Sequence, residues 1–435
     1  MKILLVNTPI WKVTGFRSAY NPGMGLLYIG AVLREQGNDV RIIDAEAMGW
    51  WFEEIVHECK SGGFTHVGIG SLSNGLPIAI ELCDRLKKEI PNLWVVLGGV
   101  GPSAEPDKAR LSAADSICIG EGELIAGRVF KERGVFYGET VKDMDSLPSP
   151  AYDLLEPCIG SERWSGNLPR PPINNTHETV VMWSRGCPHN CSFCSKATMK
   201  RGKPRTRSPK KISEELIMLH EVYGINSVFV YDDELIGMGN EHEKWLTEIS
   251  DELATWNLDE HFNPLVWLKG QGRCSEKFIT EDTGRILKDA GFFAMMLGCE
   301  SGSEKVKNRI KKGTTNQDIR HTLDIISKWV DIYGFWMVGM PEEVEDDIRE
   351  TERLIIETAK YMKWLQVTVF SPLPGSDFWD EAIEKKWLSE DFNGTTNFQV
   401  AGMLNMPWLD SETIQKWQTR LNMAYAWSKK GDAVG

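Results

Sequence analysis

Ser184-Arg-Gly-Cys187-Pro-His-Asn-Cys191-Ser-Phe-Cys194 gathers three of the chain's nine cysteines within eight residues. The spacing, C-x3-C-x2-C, sets three soft thiolates on one loop, the donor set an iron–sulfur cluster needs. No fourth cysteine stands nearby. Three thiolates on three irons of a [4Fe–4S] cluster leave the fourth iron open to a substrate or cofactor.

Outward from that loop, the chain alternates. An apolar strand at 179–183 leads directly into the cysteines, and further strands are predicted at 227–231, 264–267, 293–297, 334–338 and 366–370. Helical patterns fall between them at 209–223, 241–256, 282–290, 315–331 and 346–360, the first capped by Ser208 with Pro209 at its opening position. Six such units make a partial (β/α)6 barrel, whose chemistry is expected on the loops after the strands. Those loops carry the polar residues: the cysteines, Asp232-Asp233-Glu234, Lys269-Gly-Gln-Gly-Arg273, Glu300-Ser301, Met340 to Glu343, and Ser371 to Gly375.

The first 140 residues show the same alternation around strands at 2–7, 39–44, 66–71, 93–97 and 116–119, the last running into Gly120-Glu-Gly-Glu123. This predicts an α/β, Rossmann-like, doubly wound parallel sheet with ligands beyond the carboxyl ends of its strands. Residues 141–178, punctuated by prolines, read as a linker, and Tyr152 and Trp164 are expected to tack it to both domains. The barrel is expected over 179–385. A small helical segment closes the chain at 386–435, where Ser411 caps a helix with Ile414, Trp417, Leu421 and Ala424 on one face. The irregular, aromatic-rich stretch 392–408 is placed over the barrel mouth, where specificity would be written.

A net charge of −13 opposes a broad nucleic-acid footprint. No apolar run is long enough to span a bilayer, and Met1 to Asn7 reads as a strand, not a secretory signal. An exposed cluster and scattered cysteines point to the reducing cytoplasm. The basic run 196–211, with eight basic residues and no acidic one, reads as a surface facing an anion or as a solvated loop.

Two resemblances join these readings. Gly70-Ser71-Leu72 followed by Gly98-Gly99 is similar to the Ser-x-Leu and Gly-Gly elements of the cobalamin-binding domain. The Asp-x-His-x-x-Gly motif of that family is absent: Gly25 matches its glycine, but Tyr20 and Pro22 stand where the aspartate and the cobalt-ligating histidine would be. The resemblance therefore implies a cobalamin whose lower face lacks that histidine and is covered by the loop 8–21 with Trp11, Arg17 and Tyr20. The second half resembles the radical S-adenosylmethionine (SAM) enzymes.

That likeness implies a [4Fe–4S] cluster on Cys187, Cys191 and Cys194, with SAM on the open iron. It implies Phe193 against the adenine, Asp232 to Glu234 reading the SAM amino group, and Glu300 with Ser301 reaching the ribose. It also makes 335–342, ending in Glu342, an adenine element with phenylalanine in place of its first glycine. In the cobalamin domain it assigns Ser71, Leu72, Gly98 and Gly99 to the nucleotide tail. The implied function is a cobalamin-dependent radical SAM methyltransferase acting on an unactivated carbon of a small-molecule or natural-product substrate, served by a flavodoxin- or ferredoxin-type electron donor. Rearrangement, cyclisation or oxidation through a 5′-deoxyadenosyl radical is the alternative. A non-catalytic sensor lacks a signalling module here, and a tRNA methylthiotransferase would need a second cysteine triad, for which Cys59, Cys83 and Cys118 are too scattered.

Overall fold

A computed structural model of the chain describes residues 1–14, 21–160, 169–195, 202–388 and 404–432. Arg17, Tyr20, Trp164, most of the stretch 392–408 and part of the basic run lie outside the described residues.

Seven parallel strands form the first sheet: β1 (Lys2–Asn7), β2 (Asp39–Asp44), β3 (His66–Gly70), β4 (Trp94–Gly98), β5 (Ser116–Ile119), β6 (Gly134–Tyr137) and β7 (Leu155–Glu156), in spatial order β6-β5-β4-β3-β1-β2-β7. The order reverses at β1, and ligand crevices open beside such switch points. Two strands extend the sheet past its expected end. β7 falls within the presumed linker and pairs with β2 because the chain returns along that edge, with Tyr152 buried at 1% exposure just ahead of it.

The second half builds β8 (Glu178–Val181), the short antiparallel pair β9 (Ser184–Arg185) and β10 (Arg205–Thr206), then β11 (Ser227–Val230), β12 (Trp267–Arg273), β13 (Phe292–Glu300), β14 (Asp331–Val338) and β15 (Trp364–Val369). The main sheet is parallel throughout, ordered β15-β14-β13-β12-β11-β8, a partial six-stranded barrel wrapped by helices. β12 departs from expectation, because Lys269 to Arg273 form the strand itself. Glycines that read as a loop sit there because Leu235 and Ile236 press where a Cβ on Gly270 or Gly272 would stand. The closing helix Ser411–Asp432 buries Ile414, Trp417, Leu421 and Ala424 as its periodicity required. Among the described residues, no helix is long and apolar enough to cross a membrane.

Candidate active site at the barrel mouth

The cysteine loop is an excursion between two adjacent feet. β9 and β10 pair through Ser184↔Thr206 and Arg185↔Arg205, so the chain enters the loop at Arg185 and leaves it at Arg205 beside the same point. Gly186 opens the loop at φ 102°, in the region that favours glycine. Ser192 donates its N–H to the Ile310 carbonyl at 2.9 Å, and its own carbonyl accepts from Phe378 N at 3.1 Å, which anchors the tip to the barrel rim. Cys187 is buried while Cys191 and Cys194 are half-buried, and none is in a disulfide. Burial pushes the Cys187 thiol up to about 11, a shift that a coordinated metal would reverse. Among the described residues no three His, Cys, Asp or Glu side chains could share one metal ion. A cluster takes each thiolate on a separate iron, so its sulfurs stand further apart than ligands of a single ion.

Beneath the loop lies a buried group of charges. Lys312 Nζ donates to Glu300 Oε1 at 2.7 Å and sits 6.0 Å from the Phe193 ring centroid. Glu300 reaches it because the residue turns at φ 64° where β13 ends. Arg273 donates through Nη2 to the Lys312 carbonyl and to Thr314 Oγ1, leaving Nη1 buried and unpartnered. Glu234 Oε2, His189 Nε2 and Ser192 Oγ are likewise buried without a hydrogen-bond partner. Burial raises the Glu234 carboxyl to about 7 even though Lys312 and Arg273 oppose the shift. A buried donor and a buried acceptor left open cost stability unless a ligand takes them. An α-amino acid end offers the complement, an ammonium for Glu234 and a carboxylate for Arg273, so the residues fit SAM.

Several expected residues do other work. Asp232 is fully buried, its two oxygens accepting from Trp183 N at 2.8 Å and Ser184 Oγ at 2.6 Å, so both are engaged in bracing the strand before the cysteines. Asp233 holds Gly186 N at 2.9 Å, which leaves Glu234 as the open member of the trio. Ser301 is fully buried, with its hydroxyl 3.2 Å from Thr351 Oγ1 and accepting from Ser303 N, so its hydrogen bonds go to the helix packed behind it and to its own loop. Glu342 is half-exposed and paired with Arg309 at 3.1 Å. Its neighbour Glu343 is the buried carboxylate, accepting from Gly339 N at 2.6 Å and Met340 N at 3.1 Å. The turn after β14 points position 343 inward, which the motif spacing does not reveal. Lys312, on the loop after a short helix, had no motif to mark it.

At the other domain's strand tips, Ser71, Leu72, Gly98 and Gly99 come together. Ser71 N donates to the Gly98 carbonyl at 3.0 Å, and Gly99 adopts φ 100° with no room for a Cβ, which would stand 2.8 Å from the Ser71 carbonyl. Ser71 is buried, whereas Leu72 is 60% exposed beside the glycines, and a Cβ on Gly25 would meet open space. An apolar side chain and bare backbone at a strand edge fit the tail of a large flat cofactor. Trp11 is pinned nearby, its Nε1 donating to the Trp50 carbonyl at 3.0 Å and its ring edge-on to Trp51. Cys59 and Cys83 share one core, Cys118 lies in the other, and all three are buried, so they form no second triad.

A seam of charges joins the two halves. Arg185 pairs with Glu123 at 2.7 Å, and Arg205 grips Glu121 at 2.6 and 3.0 Å, so both feet of the cysteine loop are tied to the turn after β5. Arg185 also lies 4.8 Å over the Tyr28 ring. Deeper in, the Arg207–Glu215 pair is completed by the Tyr152 hydroxyl, which donates to Glu215 at 2.9 Å.

Comparisons with known proteins agree with this two-part geometry. Residues 14–129 match the B12 binding domain, and residues 181–355 match the Radical SAM superfamily. The chain is 28% identical to an uncharacterized methyltransferase of Pyrococcus horikoshii, over 89% of this chain and 84% of that protein. It is 24% identical to the anaerobic magnesium-protoporphyrin IX monomethyl ester cyclase of a Synechocystis strain, over 90% of this chain and 79% of that one. Its fold is similar to that of the cobalamin-dependent S-adenosylmethionine radical enzyme OxsB, solved with aqua-cobalamin bound, at TM-score 0.67 and 18% identity. That likeness covers 99% of this chain and 61% of OxsB.

Proposed function

This chain joins a B12-binding domain to a radical SAM domain, and on that premise we propose that it is a methyltransferase moving a methyl group from SAM, by way of cobalamin, to an unactivated carbon of a small molecule. The observation that carries the reading is the barrel mouth, where Glu234 and Arg273 keep buried polar atoms open beside a loop of three cysteines. Cys187, Cys191 and Cys194 would hold a [4Fe–4S] cluster, Glu234 and Arg273 the amino and carboxylate groups of SAM, and Phe193 its adenine. Gly98, Gly99, Ser71 and Leu72 would hold the cobalamin tail, with Trp11 on the lower side.

When bound, these groups supply one-electron cleavage of a sulfonium and carriage of a methyl group, chemistry that side chains lack. The chain's own part is placement. Lys312 spans Glu300 and the Phe193 ring, so it holds the carboxylate and the aromatic wall in one register. Asp232 and Asp233 brace the backbone at 183–186, which keeps the first cysteine at the end of its strand. The buried mouth excludes water from a reactive centre.

The name of the Pyrococcus relative supports methyl transfer, and that of the Synechocystis relative supports a second reading, ring closure or oxidation. The electron would come from a flavodoxin- or ferredoxin-type donor in a reducing compartment. Anaerobic reconstitution with iron, sulfide and cobalamin, followed by SAM, reductant and candidate substrates, tests the proposal. About equal amounts of 5′-deoxyadenosine and S-adenosylhomocysteine are expected. Deoxyadenosine alone would replace methyl transfer with the second reading, and neither product would refute both.

A further inference from the structure

The parallel register sorts barrel residues into those facing the helices and those facing the lumen, because partners in register share a face. Ile332, Trp336 and Val338 of β14 are fully buried, and Met362 fills the space beside Gly334, so this face meets the helices. The other face, carrying Tyr333, Phe335 and Met337, is half-exposed. Its register partners on β15 are Trp364, Gln366 and Thr368, and on β13 Met296 and Gly298.

Followed around the sheet, the lumen has three levels. At the bottom, Lys269 pairs with Glu178 at 2.7 Å, both essentially unexposed, and Ser227 donates to the same carboxylate. That ion pair plugs the β8–β12 side. At the top stands the group of Glu300, Lys312 and Arg273. Between them, Gln271, Met296 and Tyr333 are in register and uncharged, and one step above them Phe335 and Gly298 are level with Arg273.

Tyr333 meets Phe335 at 5.0 Å between ring centroids and Trp364 at 6.4 Å, a continuous aromatic wall. Tyr231 is 48% exposed, yet desolvation raises its phenol above the ordinary value, as expected of a ring lining a hollow. Amides mark the wall's polar points: Gln366 Oε1 accepts from Tyr333 OH at 3.1 Å, and Gln271 Nε2 donates to the Asp232 carbonyl at 2.7 Å. Phe335 is opposite Gly298, where a Cβ would crowd Glu300 and Lys312, so the wall runs directly up to the charged mouth.

We propose that this middle level is the substrate-binding wall, and that it selects a neutral, flat aromatic or conjugated ring system bearing hydrogen-bonding groups at its edge. The inference rests on the radical SAM reading of the mouth. Ring stacking on Tyr333, Phe335 and Trp364 rewards a planar apolar surface. The lysines beside it are taken, Lys363, 4.7 Å over the Trp364 ring, by Asp331 and Lys312 by Glu300, so a phosphate would be stripped of water with no unpaired lysine to receive it.

The test uses the full reconstituted chain and two probes, indole and uridine 5′-monophosphate, in equilibrium dialysis with SAM present. Indole is expected to bind, and Tyr333→Ala to weaken it about three- to tenfold with iron and sulfide content unchanged. Tyr333→Phe should restore most of the affinity, since it keeps the ring. Preference for uridine monophosphate, or indole binding indifferent to Tyr333→Ala, would overturn the assignment. Wild-type protein that takes up no cluster would sink the underlying reading instead, so the two failures are distinguishable.

Discussion

Two buried charge groups lie a short way apart, and they are built differently. At the seam, Arg207, Glu215 and Tyr152 satisfy one another, and Arg185 and Arg205 each find a carboxylate; the unused atoms are Nε of Arg185 and of Arg207. At the mouth, Glu234, Arg273, His189 and Ser192 each keep a polar atom open. A closed network holds parts together, whereas an open one is completed by a ligand. The seam should therefore answer to mutation in stability, and the mouth in affinity.

The largest effect is expected at the seam. Arg207→Met leaves Glu215 buried and unpaired, and should cost about 3–5 kcal/mol in urea unfolding. Adding Glu215→Leu should recover much of that loss, because the desolvated charge goes too. No recovery would mean the pair does more than balance itself.

Next in size is a pH slope from Glu343, raised to about 7 by burial against the pull of the Gly339 and Met340 N–H groups. The unfolded chain releases this proton near pH 4.5 and the folded chain near 7, so stability falls as pH rises through that window, by roughly 3 kcal/mol. Glu343→Gln should flatten the slope between pH 4.5 and 7, as thermal unfolding at a series of pH values would show.

Glu234→Gln sharpens the contrast. Removing a buried charge that lacks a full partner should leave stability unchanged or higher, while SAM binding measured by calorimetry weakens about ten- to a hundredfold. Glu342→Ala is the smallest change. The Arg309 pair is half-exposed, and its loss should stay below about 1 kcal/mol in thermal melts.

The cysteine loop and the order of the six strands were legible because spacing and periodicity are local, although Lys269 to Arg273, which read as a loop, are strand. So were Ser71, Leu72, Gly98 and Gly99, which mark two adjacent strand tips. What escaped depends on contacts distant in sequence. Glu121 and Glu123 stand in a turn whose purpose appears only when Arg185 and Arg205 arrive from the other domain. Lys312 joins the mouth through Glu300, and no pattern around it announces this. Asp232 and Glu234 look equivalent in a row of three acids, yet a backbone N–H and a serine hydroxyl engage one and leave an oxygen of the other open. Glu342 and Glu343 differ by one residue, and only the turn after β14 decides which faces inward.

The central claim is that the three cysteines carry a cluster whose open iron takes SAM at the mouth formed by Glu234 and Arg273. Electron paramagnetic resonance of the reduced, reconstituted protein tests this directly. Adding SAM should shift the cluster signal in the wild type and fail to shift it in Arg273→Leu at the same SAM concentration. A cluster signal that SAM leaves unmoved in the wild type, while SAM binds, would contradict the account.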